Sequence, residues 1–168
     1  SILSLANCGI SVDGISTLAK FIPDIAALNS INVMKNLIGD DGLAALMTAV
    51  KGTNIKSITG IVEGQTSIDW SGLDLKSFDM KILAADIEFT PFSAALNMIT
   101  LSSTGSKYDR HDESSGPRTY TLEGLHGGGD PNLNLSSKNL GPADLQFVSL
   151  VFTSFSKFSA AMNFLDVS

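Results

Sequence analysis

Six consecutive residues, Tyr108-Asp109-Arg110-His111-Asp112-Glu113, set one imidazole among three carboxylates. Both groups can ligate a metal, and histidine is also the commonest general base. A working metal site needs its ligands oriented by a hydrogen-bonded surrounding shell. Here the flanking stretch, 102–118, is dominated by Ser, Gly, Pro and charged residues. It reads as an exposed inserted loop where a helix is expected, and its charges as a solvated cluster. No metal or cofactor is assigned to it. Tyr108, Arg110 and His111 are kept as candidate loop contacts for a partner.

The other chemical motifs are weaker. His126-Gly127-Gly128-Gly129 has the letters of an oxyanion loop but lacks the Gly-x-Ser-x-Gly elbow that such a loop serves. Asn134-Leu135-Ser136 spells a glycosylation triplet, on a predicted strand. Cys8 is expected to be buried and inert. The chain has two histidines, neither near a plausible nucleophile, and no phosphate-cradling glycine loop. The reading is a chain that is not an enzyme and has no catalytic residues.

The elements that would position any site follow from composition and pattern. The chain has 168 residues, 43% of them hydrophobic and 17% charged, which fits one folded domain rather than a disordered tail. Asp plus Glu is 17 against 11 for Lys plus Arg, so there is no basic footprint for nucleic acid or an anionic membrane. One cysteine excludes an internal disulfide framework. No apolar run reaches the ~20 residues of a membrane span, and no secretory leader is visible, so a cytoplasmic location is expected.

Internal repetition organises the sequence. At an offset of 28 residues, Leu3 meets Ile31, Leu5 Val33, Cys8 Asn36, Ile10 Ile38, Gly14 Gly42, Leu18 Leu46 and Ile22 Val50. At an offset of 65, Ile68-Asp69-Trp70-Ser71 meets Leu133-Asn134-Leu135-Ser136, Leu75 meets Leu140 and Asp79 meets Asp144. The tetrad Ala26-Ala27-Leu28-Asn29 recurs at 94–97 and, with Met, at 160–163, each time before an apolar alternation. Each unit therefore predicts a half-buried strand, a turn whose Asn or Cys bonds the bend, and a helix. Ser11, Asp40 and Ser77 are predicted caps, and Pro142 a first-turn residue. Leu18, Ile22, Leu46 and Val50 give one set of helix-face positions, and Gly14 and Gly42 mark close approach of helix and strand. The phase at both ends predicts a segment of a longer array.

The run Leu3-x-Leu5-x-x-Cys8-x-Ile10-x-x-x-Gly14-x-x-x-Leu18, with its copy at 31–50, resembles the leucine-rich repeat of the ribonuclease-inhibitor type. The likeness is specific for about residues 1–52; in the second half Ser71 and Ser136 stand near where the asparagine should be. The resemblance implies an α/β leucine-rich repeat solenoid, one domain over 1–168. It would be a curved horseshoe with parallel strands on the concave face and helices on the convex one. It also implies a non-catalytic protein-interaction scaffold. The concave strand positions Asn32, Met34, Asp69, Thr100, Asn134 and Asp166 become candidate partner contacts. Two other readings stay open. One is a structural or self-associating block pairing end to end through exposed strand edges. The other is a GTPase-activating or otherwise enzyme-regulating repeat protein. The partner is expected to be a protein, with no nucleic acid and no membrane.

Overall fold

The computed structural model describes residues 1–105, 116–128 and 132–167. The chain packs as two compact units, Ser1–Glu63 with Ala85–Ala94, and Gly64–Ala84 with Ala95–Ser168.

The first unit is built from strand–turn–helix copies. Strand β1 (Ile2–Ser4) leads into α1 (Val12–Phe21), and β2 (Ser30–Asn32) into α2 (Gly39–Val50). The strands pair in parallel with Leu3 opposite Ile31. Ser11 caps α1, its hydroxyl accepting from the Gly14 amide at 3.3 Å. Asp40 is not a cap; α2 starts after Ile38 without one, and Asp40 and Asp41 lie in its first turn, where carboxylates favour the helix dipole. The buried face of α1 is Ile15 and Ala19, with Ile22 just beyond, while Leu18 is only half-buried. Leu46 and Val50 are buried as predicted. The close approach at Gly42 is between helices: a Cβ there would lie 2.5 Å from Ile15 Cγ2.

Among its described residues, the second unit holds two sheets. In one, β3 (Ser67–Asp69) runs parallel to β4 (Met98–Ser102), which pairs antiparallel with β5 (Thr119–Glu123). In the other, β6 (Asn132–Asn134) runs parallel to β7 (Phe164–Asp166), with Leu133 opposite Leu165. The helices are α3 (Ser77–Phe89), which continues into the first unit, α4 (Pro142–Ser154) and α5 (Ser156–Ala161). Pro142 opens α4 as expected, because its missing N–H would be unpaired there in any case. Ile82, Leu83, Phe147, Val148 and Val151 on the helices are buried, as are Ile99, Leu101 and Leu122 on the strands.

The curved solenoid is not what forms. Among the described residues, Leu3 and Ile31, Ile68 and Ile99, and Leu133 and Leu165 belong to three separate short sheets, so no single strand spine runs along the chain. Two local events break the expected row. After α2 the chain crosses the edge of β2, where the Ile31 and Val33 amides donate to the Ser57 and Ile58 carbonyls at 2.9 and 3.1 Å. Ser57 bridges Ser30 in parallel and Thr59 bridges Asn32 antiparallel, Gly60 follows at φ 89°, and among the described residues no strand extends from these bridges. Further on, β5 lies antiparallel along the edge of β4 that another parallel strand would need. Of the stretch expected as a loop, 102–118, Ser102 ends β4 opposite Thr119 and Ser103 is buried, while 106–115 lie outside the described residues.

The repetition itself is visible in the backbone. Left-handed conformations recur at the two sequence offsets: Asn7 and Lys35 at φ 56° and 61°, Asp74 and Asn139 at 51° and 53°. The tetrads act alike too. The Asn29 amide donates to the Ser1 carbonyl at 2.9 Å, and the Asn97 amide to the Thr66 carbonyl at 2.7 Å.

Candidate functional site

The candidate contacts sit where strands end and turns begin. Asn32 Oδ1 accepts from the Met34 amide at 3.1 Å, Asp69 Oδ1 from the Ser71 amide at 2.9 Å, and Asn134 Oδ1 from the Ser136 amide at 2.9 Å. This is one turn used three times, a side-chain acceptor mimicking the next backbone carbonyl and stopping the strand. The Ser71 and Ser136 hydroxyls add a second bond to the same oxygens, each at 2.6 Å. These bonds hold the Asp69 carboxyl below its ordinary value. Thr100 pairs across the hairpin with Thr121 through their hydroxyls at 3.0 Å, and Asp166 is half-buried. Met34 is corrected: at 2% exposure it is a core residue, because the left-handed Lys35 behind it turns the chain and Met34 faces inward. Asn32, Asp69 and Asn134 therefore spend acceptor capacity on their own turns. Tyr108, Arg110 and His111, with the neighbouring carboxylates, lie outside the described residues.

The turn of the first unit is the most tightly built. Buried Asn36 accepts through Oδ1 from the Cys8 and Ile10 amides at 3.1 and 3.0 Å. Its Nδ2 donates to the carbonyls of Leu5, Val33 and Met34 at 2.8, 2.9 and 3.3 Å. One amide thus satisfies both neighbouring bends. Cys8 is its partner in the preceding copy, yet the thiol is exposed rather than buried, because the Asn36 side chain reaches only the backbone at that position.

Leu37 follows Asn36 and is 81% exposed. Its amide is bonded to the Ile10 carbonyl at 2.9 Å, so the backbone beneath it is pinned. Val12 is exposed beside this turn, its Cγ2 3.1 Å from where a Gly39 Cβ would stand. Sequence reasoning passed over Leu37, although a signal was present: the equivalent position in the preceding copy is Gly9, so nothing in the repeat requires an apolar side chain there.

The buried acids are structural. In the first unit, Asp86 accepts from the Ser57 hydroxyl at 2.7 Å, from the Ile58 and Thr59 amides at 2.8 and 3.2 Å, and from the Thr59 hydroxyl. Burial raises its carboxyl above the ordinary value against the pull of these donors. In the second unit, Asp144 accepts from the Thr104 amide and hydroxyl at 2.7 and 2.8 Å, from Gly141 at 2.8 Å and from the Tyr120 hydroxyl at 3.1 Å. Burial, and then the Asp144 charge, pushes the Tyr120 phenol far up. Both carboxylates are thus occupied by several donors each. Among the described residues no group of three or more His, Cys, Asp or Glu is placed to hold a metal. No helix among them is long and apolar enough to cross a membrane. The sequence matches no protein-family model and no curated protein.

Proposed function

We propose that the chain is a non-catalytic protein-interaction module made of repeated strand–turn–helix copies, and that the first unit's locked turn is its principal contact. The observation that carries this reading is Leu37: a large apolar side chain almost wholly in solvent, on a backbone that Asn36 already holds by five hydrogen bonds. A pre-ordered contact loses little conformational entropy on binding, so the apolar area it buries converts efficiently to affinity. The acidic balance, 17 against 11, favours a protein partner over nucleic acid or an anionic membrane. The saturated carboxylates Asp86 and Asp144 favour a role without catalysis. A cytoplasmic setting belongs to the same proposal, since the one cysteine, Cys8, exposes a free thiol of the kind a reducing compartment preserves.

The test is affinity capture from the source cell with the wild-type chain and with Leu37→Glu. The substitution is at an exposed position and should change stability by less than about 0.5 kcal/mol. Capture of a protein by the wild type that falls at least about tenfold with Leu37→Glu is expected, equivalent to ~1.4 kcal/mol of binding. Equal capture by both chains would remove Leu37 from the contact, and hydrolase or GTPase turnover by the purified chain would displace the module reading.

A further inference from the structure

The solvent face of α1 and α2 carries a groove of about 530 Å³ between the two helices. Val12 lies beside Gly39 and Ile15 beside Gly42, so the helices run parallel with their first turns at the same end. Ala44, Ala45, Thr48 and Ala49 line the α2 side, and Ser16 and Lys20 the α1 side. All of these but Lys20 are small, so another helix can approach closely. The two ends of the face differ in charge. Asp13 and Asp41, exposed in the first turns, stand one helical turn before Ser16 and Ala45 on the same stripes. Lys20, in the last turn of α1, and Lys51, just past α2, are exposed at the other end.

We infer that this face pairs with the same face of a second copy, the helices of the two copies antiparallel about a two-fold axis. That orientation sets Asp13 of each copy opposite Lys20 of the other, and Asp41 opposite Lys51. A parallel pairing would set carboxylate against carboxylate. Charge selects a second copy as the occupant, because one face supplies both halves of every ion pair. The contact is therefore isologous and closes at a dimer. With 12 residues, α2 is about 18 Å long, so the face is small and the dimer weak, in the class that buries under about 1,200 Å². Its ion pairs are exposed and are screened by salt. The contact uses no strand edge and does not rest on Leu37.

Sedimentation equilibrium at low ionic strength, carried into the millimolar range, tests it. The wild type is expected to dimerise and stop there, and to dimerise less as salt is raised. Lys20→Glu or Asp13→Lys alone should weaken the dimer about tenfold, since each puts two like-charge contacts into it. Asp13→Lys and Lys20→Glu in one chain restore both pairs with their signs exchanged and should recover the dimer. Thr48→Arg, at an exposed groove position and with a good helix former, should abolish it by filling the groove. Circular dichroism checks that each variant keeps its helices. A wild type that stays monomeric or grows past the dimer would overturn the inference. So would a single reversal that dimerises like the wild type, a double reversal no stronger than the singles, or Thr48→Arg that dimerises unchanged. Leu37→Glu should dimerise as the wild type does, which separates this contact from the one proposed above; loss of the dimer there would assign it to the Leu37 turn instead.

Discussion

Two side chains of the first unit show what a buried polar residue does when its partners are backbone groups. Asn36 is bonded to five backbone groups from two neighbouring turns. Leaving buried donors and acceptors unpaired costs ~1–3 kcal/mol each, partly relieved where water enters. Asn36→Ala should therefore destabilise by roughly 2–4 kcal/mol in urea unfolding, whereas Asn32→Ala, at a half-buried turn, should cost about 1. Asp86 gives the complementary pH effect. Its carboxyl is raised in the folded state, chiefly by burial, so the folded chain holds this proton more tightly than the unfolded chain. The group's contribution is then greatest below the unfolded value near 4 and is lost as pH rises through its raised titration. Asp86→Asn cannot ionise, so its stability relative to wild type should improve as pH goes from about 4 to about 7. Urea melts at the two pH values check this, and an unchanged or falling difference would contradict the burial argument.

At the scale of the elements, close approach at small residues and burial of large ones both act. Gly42 lets α2 approach α1, and Gly42→Ala would press a methyl against the buried Ile15 side chain. The expected cost is ~1–3 kcal/mol from overpacking, despite alanine's better helix propensity. Leu46 is fully buried, so Leu46→Ala should cost roughly 2–5 kcal/mol. Leu18→Ala should cost about 1, because that side chain is only half-buried. Thermal or chemical melts rank these three. In the second unit Asp144 ties the start of α4 to both arms of the β4–β5 hairpin through Gly141, Thr104 and Tyr120. Asp144→Ala should cost ~2–4 kcal/mol and speed hydrogen exchange at the Thr104 and Gly141 amides before it affects Ile99 in the centre of the sheet.

For the whole molecule, the decisive events are where strands stop pairing. Native-state exchange should rank the sheets by their edges, with the amides of central β4 most protected and those of β1 and β7 least. The repeats at offsets of 28 and 65 residues were legible in the chain alone, as were most strand positions, the Ser11 cap, the Pro142 start and the Asn36 turn. They are local: alternation, capping and turn chemistry act over a few residues and leave a mark in sequence. Asp86 and Asp144 were not legible as buried hubs, because all their donors but Gly141 lie 24 to 40 residues away. Nor was the solenoid a safe extrapolation. Copies that share a strand pattern specify a strand each, but whether the next strand continues a sheet depends on which backbone edge is free and which way the chain crosses it. The isolated bridges of Ser57 and Thr59 to β2 and the antiparallel β5 decide that by pairing between segments far apart in the chain, giving three short sheets among the described residues in place of one curved row.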